Sequence, residues 1–158
     1  MAQRHLARTV VMQVLYQWDF KKKPTAGLPA IVDQIMLDFG QGLEDEKAYV
    51  EKTVQGVIDN LEHIDALIEA YASNWPLEQI TIVDRNVLRT GIYEMQFNDE
   101  IPEKVAINEA IEVAKAFGGG ASGKFINGIL GAMYKDQKED KNSQDLKTND
   151  SVESQEEE

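Results

Sequence analysis

Residues Gly118 to Lys124 read G-x-x-x-x-G-K, the spacing at which backbone amides and a lysine cradle nucleotide phosphates. A working phosphate loop also needs a Ser or Thr hydroxyl after the lysine, for magnesium, and a strand before the first glycine. Here Phe125 follows the lysine. The preceding segment is helical: at about 100° per residue, Ile107, Ala110, Ile111, Ala114 and Phe117 share one face, and Asn108, Glu112 and Lys115 the other. Gly118 ends that helix. Ser122 is placed to N-cap the next one, whose inward stripe is Phe125, Ile126, Ile129, Leu130 and Met133. The pattern is helix, glycine loop, helix, which nearly excludes a phosphate-loop nucleotidase. Lys124, Asn127, Gly131 and Lys135 share the outward face, and free amides at the helix start offer an anion a place to dock. The glycines serve equally well as a flexible connection.

Other chemistry is sparse. Glu109 and Glu112 with Lys115 form a solvated charged face more simply than an acid–base pair. His5 and His63 have no evident ligand partners, so neither a metal nor a cofactor is expected. Ser122 beside Lys124 is explained by capping without a nucleophile, and no enzyme activity is expected. The first helix is more specific. Opposite its apolar stripe lie His5, Thr9, Met12 and Tyr16, with Arg4 and Arg8 on the flank. An exposed aromatic beside arginines can hold single-stranded RNA, the base on the ring and the phosphates on the cations. Packing of Tyr16 on a neighbouring helix is the alternative, and both stand at this point.

Helices must position these residues. Ala7, Val10, Val11, Val14, Leu15 and Trp18 line a helix over about residues 3–22, ended by Pro24 and Gly27. A short helix from Pro29 buries Ile31, Ile35 and Phe39 before Gly40 and Gly42. A third gathers Tyr49, Val50, Thr53, Val54, Val57, Ile58 and Leu61, and a fourth Ile64, Leu67, Ile68 and Tyr71. Val87, Leu88, Gly91, Ile92 and Met95 line a fifth, and the two flanking the glycines complete about seven. No strand alternation is convincing. The expectation is an all-α domain over residues 1–138, two small bundles (about 1–74 and 75–138) sharing an interface near Trp75, followed by a disordered acidic tail over 139–158.

The chain has 158 residues, 42% of them apolar, enough for one core, and a formal charge of −12 that at first sight opposes nucleic acid. Its distribution says more. Residues 136–158 hold nine acids against three bases, whereas residues 1–23 carry a net of +4. A basic surface and an acidic one would suit two unlike partners. Without cysteine there are no disulfides or thiolate metal sites. Neither a secretory signal nor a run of about 18 apolar residues is present, so a cytoplasmic protein without membrane contact is expected.

Three segments, RHLARTVVMQVLYQWDF, VDRNVLRTGIYEM and IPEKVAINEAIEVAKAFGGGASGKFINGIL, occur in an order and spacing that resemble the NusB family of bacterial transcription antitermination factors, over about residues 3–135. The resemblance implies an all-α fold and a partner, NusE, the ribosomal protein that doubles as a transcription factor. Together the two bind boxA single-stranded RNA in nascent, notably ribosomal, transcripts and join the RNA polymerase antitermination complex. Carried over by position, it implies RNA contacts at Arg4, Arg8, Tyr16, Arg89, Ser122, Lys124 and Phe125, and a NusE contact at Asp84. Asp84 is notable independently: in line with Val87, Leu88 and Ile92, its carboxylate should cap a helix or meet a partner.

The chain departs from the family pattern in two places. His5 and Leu6 interrupt the usual arginine run near Arg4, and Ala121 stands where some relatives carry an acid. Phe125 falls on the buried stripe, while the resemblance would let its edge touch a base. A second class of function, a helical adaptor or homodimer without direct RNA binding, remains open, because the same fold serves as an accessory domain of an RNA methyltransferase. This sequence has no glycine-rich strand-to-helix motif for a methyl donor.

Overall fold

A computed structural model describes the backbone of residues 2–156 and the side-chain surroundings of residues 3–142. It contains six α-helices: α1 (Ala2–Phe20), α2 (Leu28–Phe39), α3 (Lys47–Asp59), α4 (Leu61–Tyr71), α5 (Ile82–Phe97) and α6 (Glu103–Glu156). Single 3₁₀ turns at Glu44–Glu46 and Leu77–Gln79 precede α3 and α5. Gly119 interrupts α6 with φ 81° and ψ −170°, so α6 has two arms and the helical segments number seven, as the periodicity predicts. Only glycine adopts that backbone conformation without strain. No strand occurs among the described residues.

Each helix begins or ends where its local chemistry directs. Pro29 stands in the first turn of α2, where its missing N–H is harmless. Gly40 closes the same helix, its N–H donating to the Met36 carbonyl at 2.9 Å. Thr81 caps α5 by accepting the Asp84 N–H at 3.1 Å.

The core is one apolar cluster, running from Ala7, Val11, Leu15 and Trp18 of α1 through Ile64 and Ile68 of α4 to Ile126, Leu130 and Met133 of α6. Helix α5 is its axis and packs against α1, α3, α4 and α6. Its close approach to α3 depends on Gly56, where any Cβ would collide with the Tyr93 ring. Because α5 is enclosed by four helices, its polar side chains Asp84, Asn86, Arg89, Thr90 and Glu94 are buried with its apolar ones. Buried charge must be paired, and that requirement organises the interior.

The structure differs from the sequence expectation in several places. Phe39 is 61% exposed and Phe117 is exposed, not inward, while Met12, expected on the outer face of α1, is buried. Phe39 and Phe117 occupy the last turn before a glycine, beyond the reach of the core their helices cover. Trp75 lies exposed in the loop before α5. The backbone of residues 139–156 is helical and continuous with α6. Extending an existing helix requires no new nucleation, so even a segment with almost no apolar residues can carry helical backbone.

Candidate nucleic-acid interface

The first turns of α1 carry Arg4, His5 and Arg8, and each is met by a carboxylate from elsewhere in the fold. Arg4 donates through Nε to Glu46 Oε2 at 2.6 Å, and its guanidinium lies 4.1 Å from the centroid of the Tyr49 ring. His5 Nδ1 is hydrogen-bonded to Glu109 Oε2 at 2.6 Å. Arg8 donates to both Glu94 oxygens at 2.9 and 3.2 Å and lies 3.6 Å from Glu109. Tyr49 adds a hydroxyl hydrogen bond to Glu94 at 2.9 Å. Burial opposes the Arg8 charge, but the hydrogen bond and charge of Glu94 outweigh it and raise the guanidinium above its ordinary value. Burial, reinforced by Glu94, likewise pushes the Tyr49 hydroxyl up.

Two of the expected RNA arginines are therefore interior. Arg8 is 7% exposed and Arg89 only 1%. Arg89 donates to Asp19 at 2.8 Å, to Asp65 at 2.8 and 3.0 Å and to Asn86 at 2.8 Å, tying α5 to α1 and α4. Arg85 and Asn86 complete the shell around Asp19. In this conformation Arg89 is enclosed, and its hydrogen bonds link three helices. Periodicity does not reveal this, because the partners of Arg89 lie 24 and 70 positions away.

At the far end of α1, about 18 Å along the axis from Arg4, Tyr16 is exposed and stacks on Phe20 with ring centroids 6.4 Å apart. Tyr16 lines a cleft of about 380 Å³ with Met12, Ile35, Phe39, Val83 and Phe117. The sequence reading missed this aromatic wall. The available signal is position: Phe20 and Phe39 are the last residues of their helices, and Phe117 immediately precedes the glycines.

On the other side of Phe117, the glycine loop adjoins the start of α5. A Cβ at Gly118 would strike the Ser122 hydroxyl and come within 3.8 Å of Asp84 Oδ1. Since the helical break is Gly119, Ser122 sits in the first turn of the second arm, not at the expected N-cap. Lys124 is exposed beside it. Phe125 is half-buried against the core, and it also lines a second cleft of about 210 Å³ with Trp75, Gln79, Ile80, Thr81 and Asp84. The buried part of the ring follows the apolar stripe of the helical count, and the rest of it faces the cleft. Thr81 supplies the cap that Asp84 was a candidate to provide. Asp84 is 9% exposed, and among the described residues its buried Oδ1 has no hydrogen-bond partner.

An all-helical binding module, with aromatic clefts on either side of a glycine-rich helix junction and a cationic helix end, is what this arrangement defines. Among the described residues no group of three or more His, Cys, Asp or Glu is placed to hold a metal, and no helix is long and apolar enough to cross a membrane. The NusB family model matches residues 5–135, and the chain belongs to that family. It is 44% identical to the transcription antitermination protein NusB of Bacillus mycoides over 127 residues, covering 80% of this chain and 93% of that one. The solved structure of T. maritima NusB superposes with a TM-score of 0.73 at 38% identity, over 84% of this chain and 90% of that one. A chain from the crystal structure of antitermination factors NusB and NusE in complex with double-stranded RNA aligns with a TM-score of 0.75 at 27% identity, covering 85% and 98% of the two chains.

Proposed function

We propose that this protein is a transcription antitermination factor of the cytoplasm that, with a NusE-type ribosomal protein, binds boxA-type single-stranded RNA and joins the RNA polymerase antitermination complex. The observation that carries this reading is the surface running from the Tyr16 cleft across Phe117 and the glycine loop to Asp84 and Lys124, on a chain of NusB sequence. Arg4, Ser122, Lys124 and the exposed edge of Phe125 are assigned to RNA: the cations and hydroxyl meet phosphates, and the ring meets a base. Arg8 and Arg89 support that surface from inside. Asp84 is assigned to the protein partner, whose basic side chains would meet its carboxylate at the cleft it lines with Trp75 and Thr81.

Tyr16 has a second reading favoured by a specific observation. Its ring is stacked on Phe20 in an apolar, aromatic cleft, which is the chemistry of a protein hot spot more than of a phosphate-bearing strand. We assign Tyr16 to the partner face.

A gel shift of a single-stranded ribosomal-leader RNA, run with and without NusE, tests the proposal. A shift strengthened by NusE is expected, and Lys124→Ala should weaken it and lower the salt slope by about one. If the chain shifts no RNA in either condition, the adaptor or homodimer reading replaces this one, and sedimentation of the free chain identifies which.

A further inference from the structure

The exposed cation at the start of α1 is already occupied by an acid. Arg4 is 41% exposed at its side chain, whereas its partner Glu46 is only 14% exposed. The carboxylate is the more enclosed member of the pair. Glu46 is set by a 3₁₀ turn whose backbone is fixed at both ends: Leu43 N–H donates to the Gly40 carbonyl at 2.9 Å, and Glu46 N–H to the Leu43 carbonyl at 2.8 Å, with the Leu43 side chain buried. On its other side the guanidinium rests on the Tyr49 ring. A phosphate oxygen approaching Arg4 therefore meets a donor whose charge is neutralised and whose Nε–H is committed. The neighbouring His5 is hydrogen-bonded through Nδ1 to Glu109.

We propose that Glu46 is a resident competitor for RNA phosphate at Arg4, an affinity-setting residue that RNA must displace or out-compete. The inference rests on the RNA-binding reading above and adds to it a residue that touches no nucleotide in the resting protein. Carboxylate and phosphate oxygens accept the same charge-assisted hydrogen bond, so the Arg4 donor cannot serve both fully. The carboxylate also repels any phosphate bound to the outer guanidinium nitrogens. Neighbouring Asp45 is exposed and makes no side-chain hydrogen bond or ion pair among the described residues, which makes it the control for charge alone.

The test is titration of fluorescent boxA-type RNA, with NusE present, by the full-length chain and its variants across a salt series. Glu46→Gln keeps an amide oxygen for Arg4 Nε and removes the charge. It should tighten binding about three- to tenfold at low salt and steepen the salt slope by up to about one. Asp45→Asn should change affinity less than twofold. Arg4→Ala should weaken the wild type only slightly but abolish the whole gain in the Glu46→Gln background. Glu46→Ala, which removes the acceptor as well, should also bind more tightly, and melting curves identify whichever variant is fit for comparison. Unchanged or weaker binding in the folded Glu46 variants, or a gain matched by Asp45→Asn, overturns the competitor role while leaving RNA binding intact. Absence of RNA binding by the wild type overturns both.

Discussion

Arg89 of α5 and Asp19 of α1 meet at 2.8 Å in the interior, both side chains almost wholly enclosed. The pair is the centre of a network in which Arg85, Asn86 and Asp65 satisfy the remaining donors and acceptors. Removing one member leaves the others charged and dry. Arg89→Ala should therefore destabilise the protein by about 3–5 kcal/mol, measured by urea unfolding. Arg89→Lys should recover little, since an ammonium cannot make the forked contact with Asp65 and reach Asp19 as well. A near-neutral Arg89→Ala would show the network to be dispensable.

The same network makes stability depend on acid. Burial by itself would raise the Asp19 carboxyl, but the Arg85 hydrogen bond and the Arg89 charge overcome it and hold the group at about 2, below its ordinary 3.8. A depressed folded-state value stabilises above the unfolded value and is lost as pH falls through the folded one. The contribution should thus be complete above about pH 5, and should disappear between roughly pH 4 and pH 2, on the order of 2 kcal/mol. Asp19→Asn should be less stable at neutral pH and show a flatter acid limb. Parallel pH profiles for the two proteins would remove Asp19 from the account.

How far the sequence discloses this architecture depends on the range of the interaction involved. Apolar spacing, Pro29, Gly40 and the glycines at 118–120 act within one or two turns, so the helices and a break among those glycines are readable from the chain, although the break falls at Gly119 and not at Gly118. Asp84 is readable as an anomaly, a carboxylate in an apolar line, although its cap is Thr81. The enclosure of α5 on all sides is not readable, because it arises from four helices distant in sequence. Arg8, read along the chain as a cation on the flank of α1, and Arg89, singled out only by the resemblance, are consequently found as buried ion-pair members in space. The cleft around Tyr16 escapes for the opposite reason: helix-terminal Phe39 and Phe117 keep the helical period and yet project past the core.

Gly56 supplies a test of packing against propensity. In an exposed helix, Gly→Ala stabilises by about 1 kcal/mol. Here the new Cβ would enter the Tyr93 ring, forcing α3 away from α5. Gly56→Ala should instead destabilise by about 1–3 kcal/mol, and Gly56→Ala combined with Tyr93→Ala should cost less than the two changes summed. Thermal melts of the four proteins form the cycle. Stabilisation by Gly56→Ala alone would mean that the two helices are not in contact at that point.

Tyr16 separates the two partners. In the cleft with Phe39 and Phe117 its ring offers apolar area and a stacked neighbour, while Arg4 lies about 18 Å away along α1 and is paired with Glu46. A base stacked on Tyr16 would have its phosphates far from Arg4. Tyr16→Ala should therefore weaken association with NusE by about 2 kcal/mol or more, as loss of a central aromatic does, and change the affinity of the chain alone for RNA by less than twofold. Circular dichroism should first show an unchanged melt, which is expected because the ring is exposed. The decisive comparison is two calorimetric titrations, RNA without NusE and NusE without RNA. A loss of roughly 1–3 kcal/mol in the RNA titration, with NusE binding unaltered, would place the ring against a base and return Tyr16 to the RNA face.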